Sequence, residues 1–431
     1  MDGITTFYTQ QRDKHNEELK RLKKQLALLA SLRLLVFVAT GLAIYFLWTI
    51  SLVYWIFPLG LAGFLYLVSR YSDLKWQKGY EERLIAINNT ELEVAARRFH
   101  HLQDGKEFLV PEHPYAQDLD LFGRGSFYQY TNRTALKQGS QVFAGLLLDG
   151  YPKDIAEKQE AVQELAQLPE WRQRFSALAG GTRPEVPHHL VSKWLKEHVA
   201  FVPQWIKFVA PAFALGSIGL VIAALSGWIP EALVLYWYLV GIGIVGRYGK
   251  NILRFSSDVS KAQETIEQYQ KLISELEEKE FASELLRDLQ QKLILDGEKT
   301  SKILKKFTRH MAMLDQQNNL LVLMFGQGLF LWSLYFAYQV ENWIGTYGKQ
   351  VEGWFEAIAY FDAYNSLGNY AFNHPDHSYP QITDGPMILQ ANAVGHPLLF
   401  LLYTSPDPRD RTRTRMLSSA YTITHKPNLS I

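Results

Sequence analysis

Residues 118–165 read DLDLFGRGSFYQYTNRTALKQGSQVFAGLLLDGYPKDIAEKQEAVQEL, and their pattern decides what kind of domain the chain builds. Phe127, Tyr130, Leu136 and Phe143 recur at roughly helical spacing, which implies amphipathic helices packed on a core. Gly123 and Gly125 flank Arg124. A Gly-x-Gly with no Lys-Ser/Thr behind it reads as a tight bend into the helix, with a phosphate cradle as the competing reading.

Around that stretch the composition is bimodal. The 431 residues have room for two or three domains, and a formal net charge of +1 gives no global basic field, so any contact with nucleic acid must be local. With no cysteine there is no disulfide framework, thiolate metal site or cysteine nucleophile. The apolar residues, among them 11 Trp, 24 Phe and 23 Tyr, gather in a few long runs.

Leu32 to Trp48 and Leu52 to Ser69 are apolar apart from Arg33, and only Thr49, Ile50 and Ser51 separate them. Each can cross a hydrocarbon core of roughly 30 Å as a helix, near the short limit of about 17 residues. The pattern is not that of a signal peptide, because the first run starts near residue 32 with no small-residue cleavage site behind it. A second pair, Phe208 to Leu225 and Ala232 to Val245, is joined by residues 226–231. Trp48, Trp55, Trp228 and Trp237 suit an interfacial belt. Lysines and arginines flank both pairs on their outer sides and neither tip carries one. The positive-inside rule therefore predicts a multi-pass protein of the cytoplasmic (inner) membrane, with both termini and the soluble domains facing the cytoplasm. Burial of these runs in a soluble core is the competing reading. A fifth run, Leu320 to Tyr338, abuts Gln316, Gln317, Asn318 and Asn319 and contains Gln327. It reads as a buried central helix of the core, with Gly326 and Gly328 marking close helix approach, rather than as a fifth crossing.

Residues 7–30 predict an amphipathic helix with Leu19, Leu22, Leu26 and Leu29 on one face, and Tyr80 to Leu102 a charged helix ended by Asp104 and Gly105. From Ser256 to Ile294 the chain is polar and helical, with Ile266, Tyr269, Ile273, Leu276 and Leu285 near heptad spacing. Lys299, Lys302, Lys305, Lys306 and Arg309, with His310, place cations at intervals of three or four on a helix. Such a face can meet DNA phosphates, and a solvated face or a membrane-surface contact competes with that reading. The histidine pairs His100–His101, His188–His189 and His374–His377 have no acidic or cysteine partner at metal-binding spacing, so no metal site is expected.

The opening stretch resembles the entry into the core domain of the MutS family, the ATPases of DNA mismatch repair. Leu119 to Ser126 correspond to its extended lead-in, Asn132, Arg133 and Thr134 to an Asn-Arg-Thr helix, and Gly139 to the opening of a second helix. Leu146–Leu148 and Pro152 match the leucine run and proline turn that follow, and Gln159 to Leu165 a third helix. Trp354 to Tyr370, WFEAIAYFDAYNSLGNY, resembles the helix that enters the ATPase domain. Ile388 to Ala391 then reads as a strand, and His396-Pro397 matches the family's opening of the nucleotide-binding domain. In the family long helices at this point form lever and clamp arms, which the resemblance implies for 256–294, with an ordinary antiparallel helical pair as the alternative.

The resemblance implies a Walker A loop soon after, and no Gly-Lys-Ser or Gly-Lys-Thr occurs in the chain. Residues 400–431 instead begin FLLYTSPDPRDRTRTR, which resembles a translated sequencing-library adapter. The native gene is therefore expected to run on past Leu399, and residues 400–431 to be a non-native tail; a genuine basic tail is the alternative. Residues 1–110 also lack the mismatch-reading domain of MutS proper.

The expected architecture is mainly α: two transmembrane helical hairpins, a MutS-like helical core and lever, and only the start of an α/β ATPase domain. In order, the divisions are an N-terminal amphipathic helix (1–30), hairpin one (31–70), a helical linker (71–114), the first part of the core (115–206) and hairpin two (207–247). Lever, clamp and core helices (248–380), the start of the ATPase domain (381–399) and the tail (400–431) follow. The complete protein is expected to bind ATP with Mg and mismatched or branched DNA as a homodimeric clamp in DNA repair. This chain is expected to hold no cofactor, catalytic or metal-binding residues, with Lys299, Lys302, Lys305, Lys306 and Arg309 as its DNA-facing group. A membrane scaffold with a helical protein-binding domain is the alternative. A transporter is disfavoured, because the membrane runs carry no internal charge to line a substrate path.

Overall fold

The computed structural model describes residues 2–46, 53–181, 186–295, 297–320, 322–382 and 398. Among them the chain is mainly α. Two long antiparallel helices, α1 (Asp2–Phe46) and α2 (Val53–Ala95), come first. Gly60 has no Cβ, which lets the Thr40 side chain sit against the α2 backbone. Further down, the Arg33 guanidinium lies 5.1 Å from the Tyr71 ring centre, and His15 Nδ1 is 2.7 Å from Glu81 Oε2. Each helix changes environment midway. Tyr8, Leu19 and Leu22 of α1 and Leu74, Leu84 and Val94 of α2 are buried, whereas Leu34, Phe37, Leu42, Phe57, Leu59 and Leu65 are exposed. The charged helix ends at Ala95 rather than Leu102. Arg97 takes a left-handed backbone (φ 65°) while its guanidinium donates to Tyr130 Oη, and that turn stops the helix.

A short α3 (Phe127–Thr131), α4 (Lys137–Leu148), α5 (Ile155–Ala166), α6 (Pro169–Ala179) and α7 (His188–Glu197) follow. Asn132, Arg133 and Thr134 lie in the turn after α3, not on a helix, because the Asn132 Oδ1 accepts the Thr134 N–H and hydroxyl and closes a local loop. Gly123 and Gly125 both have positive φ, and their N–H groups donate to the Asp104 carbonyl and to Gln129 Oε1. They form a bend, as expected, and those donors are turned into the protein.

The second apolar pair is α8 (Ile206–Leu225) and the first turns of α9 (Glu231–Glu278). Among the described residues three helices, α1, α8 and α9, are long and apolar enough to cross a membrane, and the apolar stretch of α1 has no residue buried within the protein. Past that stretch α9 continues without a break for a total of 48 residues, about 70 Å. Its inner face, Ile252, Phe255, Val259, Ala262, Ile266, Tyr269, Ile273 and Leu276, repeats every three or four residues and is buried. After α10 (Glu284–Gln291), β1 (Ile294–Leu295) and β2 (Glu298–Lys299) form a two-stranded ribbon turned at Gly297. Then α11 (Thr300–Asp315) runs back along α9, where Ser301 N donates to Glu277 Oε1 and Ser260 Oγ to Asp315 Oδ1.

The fifth run is not one buried helix. A π-helical turn (Val322–Gly326) leads into the short α12 (Gln327–Phe330), and Leu331 adopts a left-handed backbone (φ 50°) before α13 (Trp332–Tyr347) begins. The second half is core, with Leu334, Ala337 and Val340 buried, but Leu320, Leu323, Met324 and Phe325 are exposed. Close helix approach is made by Gly328, which meets Gly241 and the Tyr238 ring. The central buried helix is instead α14 (Val351–Asn373), which packs against α4, α5, α6, α7, α9 and α10. The expected strand at Ile388 to Ala391, His396-Pro397 and the tail 400–431 lie outside the described residues.

Asp362 on α14 fixes α4 in place. Leu136, at the α4 N-cap, has no side chain to cap the helix, and the Asp362 carboxylate accepts the Ala135 N–H (3.1 Å) and the Leu136 N–H (2.9 Å) in its stead. Gly139 lies so close to this carboxyl that a Cβ there would collide with it. Asp362→Ala would orphan both donors, and a loss of about 2–4 kcal/mol is expected in denaturation in detergent. A loss within surface-substitution scatter, about 0.5 kcal/mol, would mean α4 does not depend on this cap. Burial pushes the Asp362 carboxyl up to about 7 against the pull of its two N–H donors. The folded chain then keeps a proton that an unfolded aspartate releases near 3.8. Stability from this group is full below that value and is lost as pH rises to about 7, a decline that should vanish in Asp362→Asn.

Candidate functional site

A buried polar seam joins α1, α2, α6 and α14. Glu91 on α2 is its centre. Its Oε1 accepts from Arg133 Nε (2.6 Å) and Asn369 Nδ2 (3.0 Å), and its Oε2 from Asn373 Nδ2 (2.9 Å). Tyr8 of α1 donates its single hydroxyl proton toward Asn373 Oδ1 (2.7 Å) and lies 3.3 Å from Asn369 Oδ1. Arg172 of α6 donates Nη1 to Asn369 Oδ1 (2.8 Å) and Nε to the Leu165 carbonyl (2.8 Å). Burial pulls the Arg172 guanidinium down to about 10 and pushes the Tyr8 phenol up. The Arg133 backbone N–H is held by Ser366 Oγ (2.8 Å).

Beside the seam lies a cavity of about 370 Å³, lined by Arg83, Glu91, Arg133, Arg172, Asn365 and Asn369 among others. Three guanidiniums face one carboxylate across it. One Nη2 each on Arg83 and Arg172, and both amide atoms of Asn365, are buried without a hydrogen-bond partner in the protein. That donor set suits an anionic group, for which guanidinium forks are the natural partner. Nothing in it pairs a nucleophile with a base.

A second polar cluster adjoins the seam through Tyr130. The Tyr130 hydroxyl is 3.0 Å from His374 Nε2, and Tyr370 Oη is 3.0 Å from His377 Nδ1. The two histidine rings stack 4.7 Å apart. Burial, with His377 and Arg97 adding to it, pulls His374 down to about 4. Among the described residues no group of three or more His, Asp or Glu is placed to hold a metal ion.

The five expected DNA-facing residues are brought together on one side. Lys299 sits at the end of β2, and Lys302, Lys305, Lys306 and Arg309 line the exposed side of α11, opposite the buried Ile303, Leu304, Phe307 and Met311. Lys306 is paired with Glu298 at 2.9 Å. The seam itself was not anticipated. Its signal is the spacing of Asn365, Asn369 and Asn373, one asparagine per helical turn on the C-terminal half of α14.

Removing Glu91 leaves the part-buried Arg133 and the buried Arg172 without their counter-charge. Glu91→Ala is expected to cost about 3–5 kcal/mol in denaturant unfolding, the range for breaking a buried pair from one side. A loss under about 1 kcal/mol would mean that water already screens the cluster. The His374 shift gives a second test with its own sign. Its imidazole is kept neutral in the folded chain, so stability falls as pH drops from 6.5 toward about 4. That acid-side loss should be seen clearly in Asp362→Asn, where the opposing titration is gone, and should disappear on adding His374→Gln. Compared with protein-family models, with curated proteins and with solved structures, the chain matches none.

Proposed function

We propose that this chain is the membrane-anchoring and helical-core part of a MutS-type DNA-repair ATPase, one whose complete form binds ATP with Mg and mismatched or branched DNA as a homodimeric clamp. The observation that carries this reading is a convergence. The two stretches that resemble MutS, 118–165 and 354–370, are some 200 residues apart, yet they pack against each other at the motif residues themselves. Asp362 of the Phe-Asp-Ala step holds the N-terminus of α4, Ser366 holds the Arg133 backbone of Asn-Arg-Thr, and Gly139 abuts Asp362.

In this reading α1–α2 and α8–α9 are two membrane hairpins that keep the core on the cytoplasmic side of the inner membrane. The cationic face then lies far from the bilayer. Ser301 is level with Glu277, 32 residues along α9 from Val245, or about 50 Å. Asp315, past the C-terminal end of that face, is level with Ser260, still about 20 Å beyond Val245. Screening lengths of about 8 Å leave anionic lipid little hold on α11, which favours a soluble polyanion over the membrane surface.

Charge reversal separates DNA binding from scaffolding. With the chain in lipid nanodiscs, Lys302→Glu, Lys305→Glu and Arg309→Glu together should abolish retention of mismatched or branched duplex at low salt. Single reversals should each lower the salt dependence of binding by about 0.9. All three residues are exposed, so folding should hold within about 0.5 kcal/mol. If the triple variant binds duplex as well as the parent, this face is not the DNA surface. If the parent binds none at low salt, the scaffold reading replaces the clamp. For topology, Ser226→Cys should react with an impermeant maleimide from outside the inner membrane and Lys153→Cys should not.

A further inference from the structure

We propose that Val322–Phe330 is a re-entrant element, dipped into the hydrocarbon phase of the bilayer beside α8 and α9 and returning to the side from which it entered. This rests on the reading of α8 and α9 as a membrane hairpin. The placement follows from what the segment touches. Ser217 lies 11 residues into the 20-residue α8, about 16 Å from its start, and its hydroxyl is 2.6 Å from the Leu329 carbonyl. Gly328 packs on Gly241, 10 residues from the start of α9 and about 15 Å from that end. Ser217 is thus near the middle of α8, whose 20 residues match a hydrocarbon core of roughly 30 Å, and Gly241 lies on the facing apolar stretch of α9, four residues short of Val245.

The chain geometry excludes a fifth crossing. α11 approaches and α13 leaves as an antiparallel pair, with Trp332 Nε1 donating to the Met313 carbonyl and Trp343 Nε1 to the Ile303 carbonyl. The excursion between them therefore begins and ends on one side.

Broken backbone at membrane depth is stable only where its polar groups are met by protein. The break at Leu331 and the π-helical turn free carbonyls, and the hairpin supplies donors for them. Tyr238 Oη donates to the Met324 carbonyl at 2.7 Å. The Ser217 hydroxyl reaches Leu329 while accepting the Trp237 indole N–H at 2.8 Å. Gln327, the one polar side chain of the element, is buried and satisfied by Ser333 at 2.6 Å. What remains outward is apolar: Leu320, Leu323, Met324 and Phe325 are each about half or more exposed. At the same depth Leu215 and Ile218 of α8 and Leu239 and Val240 of α9 are exposed too, so the apolar surface of the hairpin continues onto the element. A surface of this kind fits acyl chains.

The absence of cysteine makes the test direct. Phe325→Cys, Leu215→Cys and Lys302→Cys would each carry a nitroxide label in the full chain reconstituted in phosphatidylcholine–phosphatidylglycerol vesicles, and collisions with oxygen and a water-soluble nickel chelate would be measured. Position 325 should match 215, with an oxygen-to-nickel ratio severalfold above that at 302. If 215 reports lipid and 325 reports water, the re-entrant proposal falls and the hairpin stands. If both report water, the membrane reading falls and takes the proposal with it. In sealed vesicles, Lys302→Cys and Lys349→Cys should react with impermeant maleimide from the same side. Reaction from opposite sides would make the segment a crossing and overturn the proposal.

Discussion

One carboxylate organises the helical core. Asp362 is fully enclosed, and sealing a carboxyl away from water is costly unless hydrogen bonds and local dipoles offset it. The offset comes from two backbone donors and from the N-terminal end of α4, whose partial positive charge lies over the same oxygens. Because the cap comes from another helix, α4 can start only where α14 lets it. Ser366, one turn further on, holds Arg133, and Arg133 in turn reaches Glu91 on α2. The placement of α4, of the Asn-Arg-Thr turn and of α2 is therefore read off a single face of α14.

The apolar stretches of α1 and α9, long enough to cross a membrane, are not separate from this core. α1, α2 and α9 each run as one helix from an exposed apolar stretch into buried contacts, with Pro58 inside the exposed stretch of α2. At the inner end α1 and α2 meet the core through Tyr8 and Glu91, side chains that must find specific partners, rather than through interchangeable leucines.

Much of this was legible in the sequence because it rests on periodicity. The apolar runs, the buried stripe of α9 from Ile266 to Leu276 and the cationic side of α11 follow directly from spacing, and the helical extent of 354–370 falls within α14. Features set by long-range contacts were not legible. The helix expected to reach Leu102 stops at Ala95 because Arg97 is drawn to Tyr130, a partner 33 positions away in sequence. Leu320 to Tyr338 looks like a continuous apolar helix, and only the left-handed Leu331 and the docking of Gly328 on Gly241 reveal the break. The seam was missed because its members come from five separate segments, and no local window contains more than the asparagine stripe of α14. Local pattern sets which residues are helical; long-range polar contacts set where the helices stop and how they join.

That division explains why the joint between α1–α2 and the core is polar. An apolar joint between α1–α2 and α14 could settle in several neighbouring registers of similar energy, since leucine surfaces tolerate repacking. Glu91 removes that freedom. Its two oxygens need Arg133, Asn369 and Asn373 together, and Asn369 must at the same time accept from Arg172. Sliding α2 by one turn, about 5.4 Å, would break all of these at once and leave a buried charge unpaired. A network of this kind adds little net stability over well-packed hydrophobic residues, but it penalises wrong arrangements steeply. For a core held by helices that continue into long exposed apolar stretches, whose surfaces distinguish poorly between one register and the next, that penalty is what a joint has to supply.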